Sequence, residues 1–216
     1  MKSLTFEDFL RNANDFYIWN FPNTISAIDG KHIRLKCSPN SGTMYYNYKQ
    51  SFSIVLQAIA DVHGKLIIVK IGGYGKQSDD GTFRSSQMFE LMKKGNLNIP
   101  TNSPLSRTSN PMPFLCPLHF GNEAYPLLLK PYNRKNLDPQ TEYFNSCFSR
   151  ARLIVECAFG IMNAKWRILW KPIETLPAFT DNIVRCICVL HNAIIDLEGN
   201  EILEMFNEHK IVREVQ

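Results

Sequence analysis

The chain has 216 residues, 44% of them hydrophobic and 12% aromatic, and a net charge of +4. That composition suffices for one medium domain with a buried core and excludes a chain disordered throughout, while the mild positive excess permits contact with phosphates without identifying a nucleic-acid protein. Six cysteines without a CxxC pair, and an N-terminus too acidic and broken for a secretory leader, point to reduced thiols in a soluble intracellular protein. No apolar run approaches the roughly 18 residues of a membrane span.

In chain order, residues 4–16 predict a short helix capped by Thr5, with Phe6, Phe9, Leu10 and Phe16 recurring at near-helical spacing. No second and third helix follow before Asp29, so a helix-turn-helix DNA reader is not expected. Residues 24–29 read as a strand, Asp29-Gly30 as a turn, residues 32–36 as a second strand and residues 37–42 as a loop. The run SFSIVLQAIA, residues 51–60, is nearly continuous in apolar β-formers, as a central strand buried on both faces should be. Asp61-Val62-His63-Gly64 makes a tight turn, and residues 65–71 return as another strand. Gly72, Gly73 and Gly75 then form a Gly-rich loop ending on Asp79 and Asp80, and a helix is predicted from Thr82 or Ser85 to Lys94. Residues 95–117 carry five prolines and read as a surface-loop insertion, followed by a short strand at 118–120.

Asp138 can cap the next helix, Pro139 suits its first turn, and the pattern runs to about Leu169. Phe144, Phe148, Ala151, Val155, Ala158 or Phe159, and Met162 form its apolar stripe. Asn145, Ser149, Arg152 and Glu156 follow a separate polar line, on which Arg152 and Glu156 have the spacing of an i, i+4 ion pair. A last helix, residues 180–197, is apolar nearly all round and is predicted to be buried against the sheet. Its Cys186 and Cys188 fall on different sides, so they do not build a zinc set with His191, which reads as a hydrogen-bonded core residue.

The order strand, strand, strand, helix, strand, helix, helix resembles a ribonuclease-H-like α/β fold, a mixed sheet flanked by helices. In that architecture acidic residues from distant parts of the chain converge on metal ions. Phosphodiester cleavage by this route asks for divalent cations on carboxylate oxygens, which Mg²⁺ prefers, and needs neither His nor Cys. Asp29, a carboxylate beside a Gly after a short apolar run, is the first candidate, although a plain turn residue would look the same.

Further motifs give the chain a family. Trp19-Asn20-Phe21-Pro22-Asn23, Ala27-Ile28-Asp29-Gly30-Lys31-His32, Tyr46-Asn47-Tyr48-Lys49, Gly75-Lys76-Gln77-Ser78-Asp79, Glu123-Ala124-Tyr125-Pro126-Leu127, Ser149-Arg150-Ala151-Arg152, Val155-Glu156, Ala158-Phe159-Gly160 and Leu190-His191-Asn192 occur in that order. Over roughly residues 15 to 195 the chain resembles the PIF/Harbinger transposase superfamily, including its Harbinger-transposase-derived nucleases.

The resemblance implies one DDE-type nuclease domain over residues 1–216, with the first helix at 1–17 and the insertion at 95–117, without the helix-turn-helix of the transposases. It implies Asp29, Asp79 and Glu156 as the catalytic acids, holding Mg²⁺ or Mn²⁺. A further family aspartate is replaced by Asn122, whose carbonyl can touch a metal but cannot neutralise charge. Glu123 is adjacent, but a one-residue shift on an extended strand reverses the side chain's direction. Ser146-Cys147 also stand where relatives often carry an aromatic and a basic residue. Lys31 and His32 beside Asp29, and Arg150 and Arg152 on the helix, are the implied DNA contacts; Lys165, Arg167 and Lys171 extend a basic face that solvation explains equally well. The expected activity is metal-dependent hydrolysis of DNA phosphodiesters, impaired by Asn122. The alternative is an inactive domesticated domain that binds DNA or protein. The implied partners are DNA and a Myb-like DNA-binding protein, with no membrane, in the nucleus or cytoplasm.

Overall fold

The computed structural model describes residues 5–17, 21–37, 41–96, 98–104, 110–112, 116–117, 128–129, 131–133 and 137–214, without the side chains of 79–80, 88, 92, 111, 116–117, 128 and 200–214. The first helix, α1, spans Phe6–Tyr17 and opens on a reciprocal cap: the Asp8 amide donates to Thr5 Oγ1 at 3.2 Å, and the Thr5 amide to Asp8 Oδ2 at 3.0 Å. It buries Phe9, Ala13 and Phe16.

Three antiparallel strands follow in the order β1 (Ala27–Arg34), β2 (Ser53–Ala60) and β3 (Leu66–Tyr74). The central strand is β2, buried along its whole length as its apolar run predicts. The turn expected at Asp29-Gly30 is not there. β1 runs straight through, with Asp29 opposite Ala58 and Gly30 opposite Gln57. A ladder paired at every residue from Ala27 to Arg34 outweighs the local turn preference of an Asp-Gly pair. The expected Gly-rich loop is likewise shorter, because β3 continues through Gly72 and Gly73. Gly72 is the extra residue of a bulge, at φ 92, and a Cβ on it would strike the carboxylate of Asp181.

Instead of one helix after this loop there are two, α2 (Asp79–Arg84) and α3 (Gln87–Lys93). Ser78 Oγ accepts the Gly81 amide and starts the first early; Ser86 Oγ accepts the Phe89 amide and restarts the chain as the second. The 95–117 insertion holds an antiparallel pair, β4 (Ser103–Pro104) with β5 (Pro111–Met112), tied down by Asn23 Nδ2, which donates to the carbonyls of Ser103 and Met112. Next, β6 (Cys116–Pro117) pairs in parallel with β7 (Leu128–Leu129) and lies beside β1. The strand expected at 118–120 lies outside the described residues.

Helix α4 (Pro139–Lys165) starts as predicted, with Asp138 Oδ1 accepting the amides of Gln140 and Thr141. It ends earlier than Leu169: Trp166 leaves the helical region at φ −111 and ψ 83, and a 3-10 turn spans Arg167–Trp170. Ile173 then bridges to Leu35, laying the returning chain alongside the end of β1. Helix α5 (Pro177–Glu214) is longer than expected and only partly covered. Val184, Ile187, Cys188, His191 and Ile195 are buried, whereas Val189, Leu190 and Leu197 are exposed. Pro177–Gly199 is also long and apolar enough, by length and composition, to cross a membrane, which corrects the expectation that nothing reaches that size.

Strand alternation sorts these layers. Ile28 and Ile59 face one way and pack on Phe83 of α2. Ala27, Ile33, Leu56 and Ala58 face the other and join Phe148, Val155 and Met162 of α4 with Val184 and Ile187 of α5 in the main core. A three-stranded antiparallel sheet flanked by helices, with a parallel pair beside its first strand, is a ribonuclease-H-like mixed α/β arrangement.

Candidate functional site

Asp29 lies in the middle of β1 and shares the sheet face that α4 covers. Its Oδ1 accepts the Gly30 amide at 2.9 Å, which orients the carboxylate, and its Oδ2 stands 3.4 Å from Arg152 Nη1. The other guanidinium nitrogen of Arg152 is paired with Glu156 Oε1, one helical turn on. Arg152 therefore holds together two acids separated by more than a hundred residues in sequence. The Asp29 side chain is only 18% exposed and that of Arg152 20%, so this contact is shielded from solvent more than a surface ion pair is.

Two carboxylates around one cation carry a net charge of −1, and their oxygens are the donor type that Mg²⁺ and Mn²⁺ take. Among the described residues no three His, Cys, Asp or Glu side chains gather as a metal set. Asp79 begins α2, next to its cap Ser78, but its side chain is not described, and Asn122 lies outside the described residues.

The implied DNA contacts are placed differently from one another. Lys31 and His32 line a cleft of about 810 Å³ that also takes in Glu156, Arg34, Tyr48, Lys49 and Trp170. Burial, then the charge of Lys49, hold the pKa of Lys31 below its usual value, against the opposing pull of Asp29. His32 is lowered by the same two causes in the same order. Asn47 Nδ2 donates to Ser53 Oγ at 2.8 Å, and the same hydroxyl is hydrogen-bonded to His32 Nδ1, also at 2.8 Å. Arg152 lines a neighbouring cleft of about 730 Å³ with Tyr132, Asn145 and Ser149. Arg150 lines neither, and its guanidinium meets Cys147 Sγ at 3.1 Å. Lys165 pairs with Glu198, so the basic line sketched along this helix is partly neutralised.

Arg34, Tyr48, Lys49 and Trp170 escaped the sequence reading as site residues. The interleaving of aromatic and basic residues in Tyr46-Asn47-Tyr48-Lys49 was the available signal. The Cys186, Cys188 and His191 group is no zinc site: Cys186 is exposed, Cys188 is buried with its thiol pKa pushed up to about 12 by desolvation, and His191 Nε2 donates to the Gly64 carbonyl at 3.0 Å.

A family model described as DDE superfamily endonuclease matches residues 28–192. Among curated proteins, the chain is similar to a "Protein ALP1-like" of Arabidopsis thaliana, 32% identical over 192 residues. That alignment covers 84% of this chain but 45% of the relative, so the chain spans less than half of the length of the protein it matches. No solved structure matches it.

Proposed function

The chain belongs to the DDE superfamily endonuclease family, in the PIF/Harbinger transposase-derived group, and from that membership we propose a divalent-metal-dependent site that hydrolyses DNA phosphodiesters, slowed by Asn122. The observation that carries this reading is the convergence of Asp29 and Glu156 on Arg152, from a strand and a helix far apart in sequence. Asp29 and Glu156 would hold the cation, with Asp79 and the Asn122 carbonyl completing its oxygen ligands. Bound there, Mg²⁺ or Mn²⁺ supplies Lewis-acid polarisation of the phosphodiester and its attacking water. Arg152 holds the two carboxylates on one guanidinium, which keeps them close to each other. Lys31 and His32, on the cleft that takes in Glu156, take the DNA backbone. Asn122 leaves one negative charge fewer than a full acidic set, so cation affinity and turnover both fall. We place the protein in the nucleus or cytoplasm, with DNA and a Myb-like DNA-binding protein as its partners.

The test is nicking of supercoiled plasmid with Mg²⁺ or Mn²⁺. Weak nicking should be abolished by EDTA and by Asp29→Ala, and Asn122→Asp should raise it about tenfold or more. Equal nicking by Asp29→Ala would remove the assignment. Asn122 itself favours a second reading, a binding module that retains DNA without cutting it. Silence of both the wild type and Asn122→Asp, with DNA retained, would select that reading.

A further inference from the structure

The cleft beside Glu156 carries more chemistry than two carboxylates need. Among its described lining residues Glu156 is the only acid, set against Lys31, Arg34 and Lys49, and two large aromatic side chains open into it. Tyr48 is 79% exposed and Trp170 is 52% exposed, so at least half of each side chain is open to solvent. Neither is loosely held. Asn47, buried, builds the turn that carries Tyr48 and Lys49: its Oδ1 accepts the amides of Lys49 at 2.9 Å and Ser51 at 3.2 Å. His32 meets the Tyr48 ring edge to face, with centroids 5.5 Å apart. On the other wall Trp170 Nε1 donates to the Asn163 carbonyl at 2.7 Å, and the Arg34 guanidinium caps the Trp170 carbonyl. Cations already stand near both rings, Lys49 Nζ 5.5 Å from the Tyr48 centroid and the Arg167 guanidinium 5.2 Å from that of Trp170.

We propose that this cleft seats a single strand of DNA, with its phosphates on Lys31, Arg34 and Lys49 and its unpaired bases stacked on Tyr48 and Trp170. The assignment of DNA rests on the phosphodiester reading above; the preference for one strand rests on the cleft. Bases inside a duplex are stacked on one another and offer no π-face to an outward ring, whereas those of a single strand do. An acidic peptide would satisfy the cations but would bring no base to stack on the exposed Tyr48 and Trp170.

Fluorescence anisotropy with a labelled oligo(dT), the same strand annealed to oligo(dA), and polyglutamate as competitor tests this. The single strand should bind more tightly than the duplex. Tyr48→Ala and Trp170→Ala should each weaken strand binding about tenfold while duplex binding holds, and Tyr48→Phe should keep wild-type affinity. Circular dichroism melts of both alanine variants matching the wild type would confirm that folding is intact, and Tyr48→Phe gives the same answer with a ring retained. Equal affinity for strand and duplex with no loss in either alanine variant would overturn the proposal, as would displacement by polyglutamate at matched charge. Strand binding that persists while Asp29→Ala cuts like the wild type would support the cleft and reject the nuclease site, so the two failures are distinct.

Discussion

Arg152 is the residue on which the site turns. Its pairing with Glu156 follows from helical spacing and is legible in the sequence; its reach to Asp29 is not, because only packing of α4 on the sheet brings positions 29 and 152 together. The same limit applies to His191. As a core residue it is readable from an apolar helix, but its acceptor, the Gly64 carbonyl in a turn, is supplied by the fold. Burial holds the His191 pKa below the ordinary 6.5, with the Gly64 bond pulling weakly the other way. Below pH 6.5 the unfolded chain takes up a proton that the folded chain resists. Stability should therefore be fully present above that pH and decline as the pH falls from it towards the lowered folded value. His32 adds a contribution of the same sign. Urea midpoints measured across this range should fall towards acid in the wild type and fall less steeply in His191→Gln; an unchanged slope in that variant would assign the effect elsewhere.

At the scale of elements, the long periodic segments were the most legible. β2 and the apolar stripe of α4, apart from its half-buried Phe144, are buried as their patterns predict, since each carries its own burial signal over many residues. β1 was misread because Asp29-Gly30 is a strong local turn signal, and the partner that overrides it, β2, lies more than twenty residues on. The Gly-rich stretch was misread for a related reason: its glycines serve close approach of neighbouring chains as well as turning. At Gly75 a Cβ would run into the Tyr45 carbonyl, with the Ser53 carbonyl 2.6 Å away, both backbone atoms that cannot move aside cheaply. Gly75→Ala should cost about 1–3 kcal/mol or more. Gly160, on α4 with open space around its position, gives the contrast: Gly160→Ala should gain about 0.5–1 kcal/mol from helix propensity. Thermal melts of the two variants should move in opposite directions, and a melting point unchanged by Gly75→Ala would contradict the crowding described there.

At the scale of the whole molecule, the sheet and its helices bring one acid from β1 and one from α4 to a shared cation, and set a basic, aromatic cleft against them. The fold class was readable from the strand order, and the family from motifs spread along the chain, whereas the cleft was not, because its walls come from three separate stretches of sequence. The central claim is that Asp29 and Glu156 form a divalent-cation site weakened by Asn122. Free Mn²⁺ measured by electron paramagnetic resonance in titrations of the wild type, Asp29→Ala and Asn122→Asp tests it without recourse to activity. Asn122→Asp should bind Mn²⁺ about tenfold more tightly than the wild type, roughly 1.4 kcal/mol, and Asp29→Ala should lose binding. Mn²⁺ affinity in Asp29→Ala equal to that of the wild type would contradict the account.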